Sequence, residues 1–238
     1  MSAGNEERLA KRNPRRPTRR ERIDYFLDRL ELRASSGKSI DGLWIGVSGD
    51  KSSPALQRVE NALALIRTHD PLNYRRRRVI RELQRVWVRI LVSASGLYSA
   101  KLGACELDTR FVDWASEELI ASIIVHEATH ARLVRCGIDY EEKRRVRVER
   151  VCIRRQLVFT TKLPNGDEAH KRARESLASL SPETYTNQAF SEREQRGSAE
   201  ALRYIGVPEW VIRAAFRMRE WMDARQQRRR HSGPPGKS

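Results

Sequence analysis

Apolar positions recur at helical spacing through most of the chain and fall into alternation over two short stretches. Ile23, Phe26, Leu27 and Leu30 form a first stripe, and Thr18 with Glu21 makes a T-x-x-E capping box ahead of it. A helix is expected from about 18 to 33. Residues 34–53, rich in glycine and serine, read as a loop with a short strand at LWIGV. Ser53-Pro54 marks the next helix start, Leu56, Val59, Leu63 and Ile66 give its buried face, and Asp70-Pro71 ends it. Residues 72–84 look helical. From Val86 the period drops to two: Val86, Val88, Ile90 and Val92 alternate with Trp87, Arg89, Leu91 and Ser93, which predicts a strand. After a loop over 93–103, Cys105, Leu107, Thr109 and Phe111 alternate in the same way, a second strand.

Ser116 then caps a helix whose first turn holds Glu117 and Glu118, where the helix dipole favours acids. Gly137 is a natural residue to end it. A further helix is expected over about 141–158, a turn at Pro164-Asn165-Gly166, and helices near 168–179, 198–204 and 208–226. The last carries a stripe of Trp210, Val211, Ala214, Met218, Trp221 and Met222, expected to pack in a core. The fold class is therefore α+β, mainly helical with a small sheet. The expected layout is a basic tail over 1–17, a main domain over 18–165, a helical extension over 166–227 packed on it, and a second basic tail over 228–238.

Charge adds a question about partners. The formal net charge is +16, from 47 Lys+Arg against 31 Asp+Glu. Such an excess can attract nucleic acid. Yet the basic residues are dispersed, with concentrations at 8–22, 75–78, 143–155 and 225–230, and the aromatics do not interleave with them as a stacking platform requires. Nucleic-acid binding through the basic tails is thus the alternative, not the leading, expectation. The apolar run Leu119–Val125 is far short of the roughly 18–20 residues of a membrane span. No apolar segment follows the basic N-terminus as in a Sec-type signal peptide, so a cytoplasmic protein is expected. Cys105, Cys136 and Cys152 are too few for a disulfide framework and read as small core fillers.

The chemistry is concentrated in LIASIIVHEATHARLVRCG. It contains H-E-x-x-H at His126, Glu127 and His130. Histidines at i and i+4 share a helical face, so both imidazoles can reach one zinc ion. Glu127 can then act as general base on a metal-bound water and return the proton to a leaving amine. Chance alone would supply about 0.01 such matches in a chain of this composition. Leu119, Ile123 and Leu133 share the histidine face and would bury the ligands.

These residues resemble the zincin metallopeptidases over about 104–160. The resemblance implies a zincin-like domain in which a small sheet packs on the HExxH helix and its edge strand receives the substrate as an added strand. It also implies one Zn2+ per chain, a peptide or protein substrate and hydrolysis of peptide bonds. In the gluzincin-like branch a glutamate on a following helix is the third ligand. Glu149 fits, 19 residues after His130 and on one face with Val146, Cys152, Ile153 and Gln156. Pairing with Arg145 or Arg150 is the ordinary alternative for this acid. Cys136, at the metzincin ligand position, and Asp139 are rival ligands, while Glu141 and Glu142 fall too early. The stretch V-E-R-V-C departs from the N-E-x-x-D-type pattern of the best-known gluzincins. Tyr140, between the two helices, is the candidate oxyanion donor, with Arg145 and Arg147 as unranked alternatives. Asp108 or Asp113 could orient a ligand imidazole.

Overall fold

The computed structural model describes residues 19–49, 53–72, 74, 79–218 and 221. The elements run α1 (Arg19–Ala34), β1 (Ser36–Ile40), β2 (Leu43–Val47), α2 (Ala55–His69), α3 (Val79–Glu82), β3 (Arg85–Arg89), β4 (Gly96–Ser99), β5 (Ala104–Asp108), α4 (Thr109–Trp114), α5 (Glu117–Arg135), α6 (Glu142–Thr160), α7 (Asp167–Ala178), a 3-10 turn (Glu183–Tyr185) and α8 (Asn187–Tyr204). Residues 209–218 are helical as well. The fold is α+β, as expected.

One five-stranded sheet has the order β1-β2-β3-β5-β4. Strands β2, β3 and β5 run parallel, and β1 and β4 close the two edges antiparallel to their neighbours. Alternation assigns the faces. Ile45, Val86, Val88, Cys105 and Leu107 point to one side, where Val59, Leu63 and Ile66 of α2 and Ile120, Ile124 and Ala128 of α5 complete the main core. Removing each large aliphatic side chain from water contributes about 1.5–3 kcal/mol. On the opposite face Trp87 and Ala104 meet Tyr25 and Leu32 of α1. There Arg89 joins Asp28 and Glu31 of α1 to buried Glu106.

Several expectations are corrected. β1 lies inside the stretch read as a loop; its sequence, SGKSI, has no apolar alternation because it is an exposed edge. β4 likewise lies inside the expected loop 93–103. The second alternating run ends as a strand at Asp108, whose carboxylate caps α4 by accepting from the Arg110 and Phe111 amides. Thr109 and Phe111 are therefore helical. The 3-10 turn and the start of α8 extend helical structure well before Ser198. The first stripe lies on a helix, but Ile23, Phe26, Leu27 and Leu30 face outward, as do Trp210, Met218 and Trp221. Cys105 and Cys152 are buried, whereas Cys136 is exposed. The capping box at Thr18, the tails, Arg75–Arg78 and Met222 lie outside the described residues.

The central helices start and stop where expected. Ser116 Oγ accepts from the Leu119 amide at the head of α5. Gly137 follows its end with φ 76°, a left-handed conformation that glycine adopts without steric cost. α6 returns along α5 and carries the second half of the candidate site. Its outer end is tied down by Asp70, buried at the end of α2, which pairs with Arg155 at 2.7 Å and Lys162 at 3.0 Å. No helix among the described residues is long and apolar enough to cross a membrane.

Candidate metal centre

His126 and His130 stand one turn apart on α5, and their Nε2 atoms are 3.1 Å apart. Glu149, on the facing turn of α6, brings Oε2 to 3.3 Å from His126 Nε2 and Oε1 to 3.3 Å from His130 Nε2. In a tetrahedral site with nitrogen and oxygen ligands at about 2.0–2.2 Å, ligand atoms stand about 3.3–3.6 Å apart. The two nitrogens stand about as far apart as two ligands of such a site, and each faces a different oxygen of Glu149 at a similar spacing. The Cys152 thiol, one turn further along α6, is the other donor here. The ligand atoms of His126, His130 and Cys152 lie within 4.8 Å of one another, a grouping compatible with one metal ion. Carboxylate and imidazole lone pairs converging in a buried site need a cation between them, either protons or a metal.

The imidazole of His126 is held by a chain of hydrogen bonds. Its Nδ1 lies 3.2 Å from Gln156 Oε1. A carbonyl oxygen only accepts, so Nδ1 carries the hydrogen and the Nε2 lone pair faces the site in the neutral ring. The amide of Gln156 is itself oriented, since its Nε2 donates to Ser122 Oγ at 3.1 Å. Ser122 passes its own hydrogen to the Leu119 carbonyl at 2.8 Å. Asp108 and Asp113 do not take this role. Asp108 caps α4 and pairs with Arg110, and Asp113 accepts from the Tyr204 hydroxyl at 3.3 Å.

Tyr140 arrives from the connection between α5 and α6. Its ring meets His130 edge to face at 5.4 Å, and its hydroxyl donates to Glu149 Oε1. The hydroxyl is therefore directed at the carboxylate in this structure. Burial raises the Tyr140 pKa far above the ordinary phenol range, and the neighbouring Glu149 charge adds to this. Burial also pushes the Glu149 carboxyl up, but hydrogen bonds from His126 and His130 reverse this and hold it well below the carboxylate range. At His126 burial disfavours the imidazolium, yet the Glu149 hydrogen bond and the Glu127 and Glu149 charges outweigh it and raise the pKa. Neither Arg145 nor Arg150 pairs with Glu149. Arg145 donates to the Tyr140 and Tyr185 carbonyls and to Asn187, a clamp on the walls of the site; Arg147 is exposed. Asp139 pairs with Arg144 at 3.1 Å. Glu141 pairs with Lys143, Glu142 with Asn187, and Cys136 is an exposed helix end.

Glu127 is buried on α5 beside the sheet edge. A Cβ added to Gly96 of β4 would stand 2.4 Å from the Ile123 side chain and 3.4 Å from Glu127 Oε1. Only glycine lets the edge strand come this close, which sets Glu127 between the histidines and β4. A cleft of about 530 Å³ opens over His126, Glu127 and Glu149 and runs along Gly96 to Trp114 and Tyr185. The Tyr185 pKa is pushed up to about 12 by burial and by the Glu149 charge. Cys152 and Gln156 share a helix face with Glu149 and were legible as neighbours, though not as a donor and an orienting group. Nothing local in the sequence marks Gly96 or Tyr185; they reach the site through the sheet and through the packing of the later helices. Compared with protein-family models, with curated proteins and with solved structures, the chain matches none of them.

Proposed function

We propose that the protein is a zinc-dependent hydrolase of peptide bonds, of zincin type, with His126, His130 and Glu149 as the metal ligands and Glu127 as the general base. The observation that carries this reading is the convergence of the two imidazole nitrogens and the Glu149 carboxylate at 3.1–3.3 Å, with a second buried carboxylate, Glu127, left beside the group. Zinc, when bound, lowers the pKa of its water to about 7 and polarises a carbonyl oxygen. The side chains of this chain do the rest. Gln156 fixes the tautomer that turns His126 Nε2 inward. Tyr140 holds Glu149 in place. Glu127 accepts the proton of the attacking water and delivers it to the leaving amine. The free edge of β4, adjacent to Glu127, offers backbone groups to a substrate laid down as an extra strand.

Glu149 is preferred over Cys152 as third ligand because its carboxylate presents one oxygen to each histidine at 3.3 Å, and because two histidines with one carboxylate leave a position open for water. Binding by all four donors would close the site and make it structural. The discriminating experiment is Glu127→Gln in the full chain, assayed on a peptide mixture after zinc loading. It keeps zinc at wild-type stoichiometry while hydrolysis falls by about 10²–10⁴-fold. Wild-type protein that holds zinc and cleaves no peptide in the mixture would count against the reading.

A further inference from the structure

Beside the metal cleft lies a second pocket of about 420 Å³, within the size range of small-ligand sites, about 300–1,000 Å³. The two share Ser95, Phe111 and Trp114. Ser95 immediately precedes Gly96, where an added Cβ would stand 3.4 Å from Glu127 Oε1, and an extended chain advances about 3.3 Å per residue. A peptide lying along β4 with its scissile bond at Glu127 would therefore place a side chain, or its own end, in this pocket within a few residues.

The pocket is lined by Asp108, Arg110, Arg193, Arg196 and Glu200 among others. Asp108 and Arg110 neutralise each other at 2.7 Å. The Glu200 charge acts on Arg110 and Arg203. Arg193 and Arg196 have no carboxylate partner among the described residues. Arg193 is pre-positioned: it donates to the Thr184 carbonyl at 2.8 Å and lies over the Phe190 ring at 4.4 Å, which leaves guanidinium donors for a ligand. Its helix is seated firmly, since a Cβ at Gly197 would fall 1.3 Å from the Val92 carbonyl oxygen.

We infer that this pocket is a substrate subsite for a carboxylate, held by Arg193 and Arg196, so that the preferred peptide is acidic a few residues from the scissile bond or ends there. The inference rests on the hydrolase reading for the direction of the peptide. Guanidinium and carboxylate match in geometry as well as charge.

The test uses the full chain carrying Glu127→Gln, loaded with zinc and immobilised at low ionic strength. Two hexapeptide libraries are offered, one with a free C-terminal carboxylate and one amidated. Retention of Asp or Glu over Asn or Gln by about tenfold at one position in both libraries identifies a side-chain subsite. The same preference for free acid over amide, with no acidic position, identifies a site for the chain terminus. In Arg193→Gln/Arg196→Glu the preference falls below about twofold. Arg196→Glu alone, at an exposed position, weakens it without disturbing packing. Equal retention of acid and amide forms, retention of no peptide, or a preference that survives both substitutions overturns the inference. Digestion by the wild-type chain separates the two readings. Cleavage without acidic preference removes the subsite and leaves the hydrolase; acidic retention without cleavage does the reverse.

Discussion

Replacing Gln156 by leucine removes the acceptor that holds the His126 imidazole, while keeping a side chain of similar size on α6. The Nδ1–H group, whose nitrogen is 3.2 Å from Gln156 Oε1, would be left without its acceptor. A buried donor stripped of its partner costs about 1–3 kcal/mol. The ring can escape that cost by turning or by moving its hydrogen to Nε2, and either change takes the lone pair away from the proposed metal. Every 1.4 kcal/mol is tenfold in affinity, so the proposed site should lose about 10–100-fold in zinc affinity, the range found when orienting partners of metal-bound histidines are removed. Gln156→Glu keeps an acceptor and should retain most of the affinity. Ser122→Ala should give an intermediate loss, because it frees the Gln156 amide to rotate. The assay is competition for zinc against a chromogenic chelator, with far-ultraviolet circular dichroism to confirm that each variant is folded. A change of less than about threefold for Gln156→Leu in a folded protein would show that the hydrogen-bond chain does not set the ligand.

Other consequences concern the scaffold. Burial holds the Glu106 carboxyl up at about 7 against an ordinary 4.5, so stability falls as pH rises from about 4.5 through 7; Glu106→Gln should remove up to about 3 kcal/mol of that loss. Paired denaturation curves should then show the variant more stable at pH 8 and nearly equal to wild type at pH 4, and a difference independent of pH would refute the assignment. Gly197→Ala places a methyl group against the Val92 backbone, which cannot yield as a flexible side chain does, and should cost about 1–3 kcal/mol. Thermal unfolding would register this as a lower Tm, with faster proteolysis within α8.

The legible parts of the molecule were those with strong local signals. The Ser116 cap, the apolar face of α5 and Gly137 bounded the central helix almost to the residue. The i, i+4 histidines and the face of α6 bearing Glu149 indicated which side chains should meet. Edge strands were not legible, because SGKSI and GLYS bury too little for the period-two pattern to appear. The Thr109–Phe111 alternation misled for the opposite reason: the Asp108 cap starts a helix inside a run that still alternates. The outward stripe of α1 shows that helical periodicity identifies an amphipathic face, not what covers it. Tyr185 came to the cleft, and Arg193 and Arg196 to the pocket beside it, only through docking of the 3-10 turn and α8, a contact between distant residues that spacing cannot encode. The basic excess is likewise ambiguous from the sequence alone, because charge counts do not name partners. Arg144, Arg145 and Arg155 on α6 are engaged inside the molecule.

The proposed metal is held between α5 and α6 by His126, His130 and Glu149. Metal content measured by mass spectrometry on protein produced with zinc present, for wild type beside His126→Ala, Glu149→Ala and Cys152→Ser, tests this most directly. The expected result is one zinc per chain in wild type and Cys152→Ser, and near-complete loss in His126→Ala and Glu149→Ala. Zinc-free wild type, or zinc kept by Glu149→Ala and lost by Cys152→Ser, would contradict it.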